Sequence, residues 1–372
     1  MTKARTNASA SPAVGRNMVI NGAMNVSQRG TTTGTGGVGG TAAHYPTLDR
    51  WQIEASGAGR ATMSQTSDGP NGISANCIKL DCTTADTDIA AGELFLLEQR
   101  IEGQNLQRIG KGVAGAKQVT ISFYVKASAS FTFALEFVEV QHGRSCSKLF
   151  DVTTDWNRIE LTFPADVDDG SSPIVDDNAV GIKLFFWLHA GATWSSGTLQ
   201  SGSFVNSVSA NRAAGIDSFF SNTANNFFIT GVQMEVGPVA TEFEQEEISV
   251  TENKCFRYFQ KFDSVGANYQ RYGAAGLNYS ATGHSNAIKL LTPMRAVPAV
   301  GTTGTAANYA INHNADAVTA CNGVPTLAGA ADNPKHNITI TCTVGSGLDA
   351  GDVGLLISNN NVSSFLSFDA EL

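Results

Sequence analysis

Few residues in this chain are placed to do chemistry, and their scatter narrows the options. The six histidines, at 44, 142, 189, 284, 313 and 336, show no metal-ligand spacing. No G-x-S-x-G elbow and no H-E-x-x-H helix occurs, so no local motif encodes a serine nucleophile or a zinc protease. Glycosidase-type carboxylate pairs come from distant strands and leave no local signature. The acidic residues here fall mostly in turn-rich stretches, where solvation accounts for them. A non-enzymatic protein without a cofactor is expected.

The one metal-like stretch is Asp166 to Asp177. Asp166, Asp168, Asp169, Asp176 and Asp177 could offer hard oxygens to Ca²⁺. Yet Gly170 comes one position early for an EF-hand, and Asp177 stands where that loop needs Glu. The alternative is a solvated hairpin loop, and no metal ligand is assigned. The six cysteines form no C-x-x-C, so no zinc site is expected. Cys77 and Cys82 face opposite ways on one strand and are poor disulfide partners. All six read as free thiols acting as small hydrophobes, which suits assembly in a reducing cytoplasm.

Sugar recognition uses aromatic rings that stack on apolar sugar faces, beside polar side chains that fix hydroxyls. Trp51 and Trp187 lie in apolar strands and read as core. Trp156 shares a face with Arg158 and Glu160, which leaves its side open. Trp194 differs, because it lies in the Gly- and Ser-rich stretch HAGATWSSG. With His189 and Arg212 it flanks or occupies the long variable region from 189 to 225. Trp194, His189 and Arg212 are therefore the candidate ligand-binding residues. The alternative is a Trp194 that folds back to cap the domain.

The elements that must position these residues are strands. The chain has 372 residues, 38 Gly and only 15% charged residues, with many Ser, Thr and Asn. Short strands joined by polar turns are the natural outcome. Val119, Ile121, Phe123 and Val125 alternate inward. Phe131, Phe133, Leu135 and Phe137 repeat the pattern, and Ile159, Leu161 and Phe163 do so again. Gly181 to His189 is apolar on both faces, as in a central strand. About ten strands before residue 237, without helices, predict a jelly-roll β-sandwich. In the last of them Phe228, Val232, Met234 and Val236 share one face; Phe227, Ile229, Gly231, Gln233 and Glu235 share the other. Further strands begin at Met18 to Ile20 and at Asp49 to Ala55. Gly237-Pro238 stops the last strand, and a short helix fits over Glu252 to Lys261. Beyond it, a smaller β domain with a thin core follows. The Gly-rich stretch from Thr31 to Thr41 lacks the Lys-Ser or Lys-Thr of a phosphate loop. Net charge is −9, so nucleic acid is not an expected partner. No run of 18 apolar residues predicts membrane insertion.

Three motifs recur in order: N-x-x-INGAM-x-x-x-QRG at 17–30, Y-x-x-x-DRW at 45–51, and ITGVQMEVG with AT-x-FE and C-x-RYF from 229 to 259. Together they resemble a family of phage virion and tail-fibre-like proteins with a carbohydrate-binding-module-like jelly roll. The resemblance implies a virion subunit, commonly trimeric, assembled in the host cytoplasm. It also suggests a structural calcium near Glu235. The expected organisation is an arm at 1–16, a jelly roll at 17–245, a linker with the short helix at 246–262 and a β domain at 263–372. The arm has no apolar core of a secretory signal and reads as a docking device for other virion proteins. The expected function is a tail-fibre or tail-appendage subunit contacting a host-surface glycan. A purely architectural decoration or tail-attachment protein is the alternative, and a polysaccharide hydrolase comes third.

Overall fold

The computed structural model describes residues 15–34, 37–167, 173–264, 266, 268–314, 317–329 and 335–372. Residues 1–14, most of the expected arm, lie outside them. The chain divides into one unit that ends at Thr251 and also takes Leu372, and a second over Glu252–Glu371.

Among the described residues the first unit holds thirteen strands. They are β1 (Val38–Gly39), β2 (Ala42–His44), β3 (Gln52–Ser56), β4 (Arg60–Thr66), β5 (Cys77–Thr84) and β6 (Leu94–Glu102). Then come β7 (Val119–Ala127), β8 (Phe131–Glu139), β9 (Arg144–Val152), β10 (Asn157–Phe163), β11 (Val180–Ala190), β12 (Val205–Asn206) and β13 (Asn226–Val236). One sheet runs β1-β4-β5-β13-β7-β10 and the other β12-β9-β8-β11-β6-β3-β2, antiparallel throughout. The fold is a jelly-roll β-sandwich. Its core takes the inward residues expected of β7 and β8, and adds Ile182, Leu184, Phe186 and Leu188 from β11. The Phe123 ring meets the Phe150 and Phe186 rings edge-on at 5.1 and 5.2 Å. Each such buried ring stabilises the sandwich by about 1.5–3 kcal/mol.

The expected alternation of β13 holds only in its second half. Phe227 and Ile229 lie in the core together with Val232 and Met234, while Phe228 faces outward against Trp156. The phase changes at a bulge between Thr230 and Gln233. There Gly231 adopts φ +61, and a Cβ would stand 2.8 Å from both Ile73 Cγ2 and Tyr124 Cδ2. One extra residue in a strand moves every later side chain to the opposite face.

The bulge also ends the pairing of β13 with β5, which covers only Asn226 to Ile229. Residues 17–22 take over that edge. Val232 N donates to Gly22 O, Met18 N to Met234 O, and the Asn17 amide bonds Val232 O and Met234 N. The expected strand at Met18 to Ile20 is irregular, because it serves as this side patch. The expected strand from Asp49 starts only at Gln52, because Arg50 sits at φ +73.

The first two sequence motifs meet here, beside the ITGVQMEVG strand. Asn21, at φ +58 and 2% exposed, uses its side chain fully. Nδ2 donates to Val26 O and Asp49 O, and Oδ1 accepts from Asn25 N and Val26 N, all at 2.9–3.0 Å. Trp51 Nε1 donates to Asn21 O at 3.1 Å. Asp49 accepts from Gln28 N and pairs with Arg29 at 3.7 Å. INGAM, QRG and DRW are thus one buried hydrogen-bonded clasp.

The second unit carries β14 (Phe259–Asp263), β15 (Gly276–Ser280), β16 (Gly283–Lys289), β17 (Ala299–Thr302) and β18 (Tyr309–His313). It continues with β19 (Ala317–Ala320), β20 (Thr326–Leu327), β21 (Asn337–Thr343), β22 (Val353–Ser358) and β23 (Phe365–Asp369). Its sheets run β14-β23-β17 and β19-β18-β22-β15-β16-β21-β20. The helix spans Ile248–Phe256, earlier than expected, because Phe259 to Asp263 is recruited as an edge strand by β23.

Buried His284 lies between Gly276 and Gly354 of this unit. A methyl on Gly276 would stand 2.8 Å from its Nε2, and one on Gly354 3.1 Å from its Cε1. Its Nδ1 donates to Asn278 Oδ1 at 2.9 Å. Burial holds this imidazole below its ordinary pKa of 6.5. The unfolded chain therefore binds the proton more readily, and stability falls as the pH drops below that ordinary value. The melting temperature of this unit is expected to fall between about pH 7 and pH 5, and His284→Gln to flatten the fall. An equally steep variant would assign the slope to other groups.

Candidate functional site

Strand β11 buries both faces. Its inward residues enter the core, and its outward Phe185 and Trp187 form a second apolar cluster with Leu94, Leu96, Ala134 and Ala213. That cluster is roofed by residues 191–217. Gly191 N donates to Glu93 O, Thr193 N to Ala91 O and Ala213 N to Trp194 O. The region expected to be a variable loop is thus a covering layer pinned by its backbone.

Trp194 and Arg212 meet within this layer. The Arg212 guanidinium lies 5.3, 5.1 and 5.4 Å from the ring centres of Phe185, Trp187 and Trp194. Its Nε donates to both Glu136 oxygens at 2.9 Å, and Trp187 Nε1 donates to Glu136 Oε2 at 2.9 Å. Glu136 is fully buried, and among the described residues these are the donors that satisfy its carboxylate. Trp194 packs on Trp187 with ring centres 5.8 Å apart, and its indole N–H donates to Gly92 O. It is partly buried. Trp194 caps the layer: Arg212, Trp187 and the Gly92 carbonyl fix the indole, and part of the ring meets solvent.

Sequence reasoning missed Glu136 and the role of Trp187. Glu136 occupies an outward position of an alternating strand, which ordinarily means exposure to water. Only the covering layer, formed far along the chain, turns that position into an interior one.

His189 stands apart. Its Nδ1 lies 2.8 Å from Ser218 Oγ, and its ring meets Phe220 at 5.3 Å. Burial lowers its pKa, against the pull of Asp86 and Glu93. Trp156 faces outward, its indole N–H donating to Asp68 O beneath the Lys126 ammonium. The calcium expectations fare differently. In the acidic stretch, Asp168 and Asp169 lie outside the described residues, while the Asp166 carboxylate is held by Arg144 at 2.8 Å. Glu235, near which the family resemblance suggests an ion, accepts from Thr241 N, Thr241 Oγ1 and Gln233 Nε2. The cysteines are free and buried, and burial pushes Cys146 up to about 11, which keeps that thiol inert. A groove of about 470 Å³ runs along the turn at 69–75 between Asn25 and Gln245.

No family model and no curated protein matches the chain. Among solved structures, it is similar to the enzymatically active domain of bacteriophage CBA120 tailspike protein 4, at 14% identity and TM-score 0.29. That match covers 60% of this chain and 22% of the tailspike chain, so this chain spans about a fifth of that structure. It is similar to a family 11 carbohydrate-binding module from Clostridium thermocellum in complex with a β-1,3-1,4-mixed-linked tetrasaccharide, at 13% identity and TM-score 0.28. There 52% of this chain and 91% of the module are covered. The module TmCBM61, in complex with β-1,4-galactotriose, matches at 11% identity and TM-score 0.29, over 60% of this chain and 99% of its own. At such scores the likenesses carry no argument, and the sandwich rests on its own strand pairing.

Proposed function

We propose that this chain is a non-enzymatic subunit of a phage tail appendage, and that its N-terminal sandwich holds a host-surface glycan against Trp194. The virion setting rests on the motif resemblance. The glycan reading rests on one observation: a partly buried indole that still meets solvent and is locked in place by Arg212, Trp187 and a backbone hydrogen bond. A rigid ring loses little entropy when a sugar face stacks on it, and that is how aromatic platforms gain affinity. The Ser and Asn side chains of residues 195–211 offer partners for hydroxyls. Assembly as a trimer belongs to the same proposal. It is supported by Leu277 and Val353, which pair across strands while 50% and 62% exposed.

Trp194→Ala is expected to weaken binding of the purified chain to host cells at least tenfold. The lost ring contacts are expected to cost about 1–2 kcal/mol of stability. Trp194→Tyr should keep part of the binding. Sedimentation of the same preparation reads the oligomer. Unchanged adsorption in Trp194→Ala would remove the receptor role and leave the architectural one.

A further inference from the structure

We propose that Asp86, Glu93 and His189 form a binding site for a divalent transition-metal ion of the zinc class at one end of the N-terminal sandwich. One ligand atom from each of the three lies within 4.8 Å of the others. Asp86 follows β5, Glu93 precedes β6 and His189 ends β11, so three separate chain segments converge there.

The imidazole supplies the independent sign. His189 is 1% exposed, and its buried Nε2 has no hydrogen-bond partner. It lies 3.9 Å from Glu93 Oε2, too far for a hydrogen bond. A buried ring nitrogen without a partner is desolvated with nothing in return, and a bound ion would remove that penalty. The other ring nitrogen faces Ser218 Oγ at 2.8 Å. With Nδ1–H donating to that hydroxyl, Nε2 turns its lone pair toward the carboxylates. A hydrogen bond of this kind is what orients metal-bound histidines.

The carboxylates are arranged to match. Asp86 is 6% exposed, and its Oδ2 accepts from Ala58 N and Gly59 N at 3.1 and 3.2 Å. Glu93 Oε2 accepts from Ala90 N at 2.9 Å. These bonds hold both side chains in place and leave one oxygen of each free of protein donors. Among the described residues, no lysine or arginine pairs with either carboxylate. Two closely placed, cation-free carboxylates beside an unsatisfied imidazole form a donor set for a dication. One nitrogen with two oxygens suits zinc better than the all-oxygen shells of calcium or magnesium. Metal–ligand bonds of about 2.0–2.2 Å allow ligand atoms up to about 4.4 Å apart, so the triad needs to close by only a few tenths of an ångström.

The test uses the full chain, stripped with chelator and titrated with Zn²⁺ in a calorimeter. One equivalent per chain is expected, with a concentration-dependent rise in melting temperature. Glu93→Gln keeps an acceptor for Ala90 N and is expected to weaken binding at least tenfold, as is His189→Gln. Co²⁺ loaded into the wild-type chain reports the ligands without any variant. An oxygen and nitrogen site gives weak visible bands and no thiolate charge-transfer band, which separates it from the cysteines. No bound zinc, wild-type affinity in both variants, or a thiolate band would overturn the proposal.

Discussion

Asn21→Ala is expected to destabilise the N-terminal unit by about 3–5 kcal/mol, a large share of the roughly 5–15 kcal/mol that keeps an ordinary domain folded. Two terms add. The side chain makes four hydrogen bonds, and its loss leaves Val26 N and Asp49 O without it inside the clasp, while Val26 O keeps the bond from Asp49 N. Each buried group left unsatisfied costs about 1–3 kcal/mol, partly relieved where water enters. The backbone at φ +58 adds about 1 kcal/mol of strain for any residue with a Cβ that lacks the local bonding of Asn. Asn21→Gly separates the terms, since glycine accepts the backbone but supplies no amide. It should recover about 1 kcal/mol of the loss and no more. Urea denaturation of both variants measures this. Wild-type stability in Asn21→Ala would mean that the clasp contributes nothing to the fold.

Glu136→Ala should cost a similar amount, about 3–5 kcal/mol, by a different route. Its carboxylate accepts from the buried Trp187 indole and holds the Arg212 guanidinium over three rings. Removal strands a buried N–H and frees a cation that was held over aromatic faces. The covering layer at 191–217 is then expected to loosen first. Limited proteolysis should cut it in the variant under conditions where the wild-type chain stays intact. Glu136→Gln keeps an acceptor for Trp187 and loses only the charge, so it should fall between. If Glu136→Ala melts cooperatively at a lower temperature with the layer still protected, the layer is held by its backbone bonds alone.

The sandwich was legible because its strands alternate. Val119 to Val125 and Phe131 to Phe137 show the period directly, and β11 shows a run buried on both sides. What failed did so for local reasons. Gly231 reads as one more residue of an alternating strand, yet its positive φ reverses the alternation after it. Phe259 to Asp263 carries helix-compatible residues, and only the edge of β23 makes it a strand. The site was legible in part. A tryptophan in a Gly- and Ser-rich stretch led to Trp194, and Arg212 proved to be its neighbour. Glu136, Asp86 and Glu93 were not legible, because an acidic residue reads as solvated until distant segments bury it. The motif residues Asn21, Asp49 and Trp51 turned out to hold the chain together, which explains their spacing by backbone geometry alone.

The patch that residues 17–22 lay along β13 joins partners more than two hundred positions apart, as in the bond from Asn17 to Val232. Protein synthesis runs from one end of the chain to the other, so the clasp segment emerges long before its partner strand exists. Met18, Val19 and Met24 belong to the finished core, yet no nascent chain that stops short of Val236 can bury them as the completed unit does. This end of the sandwich is therefore expected to close only after β13 has emerged, with Met18, Val19 and Met24 lacking their final burial until then.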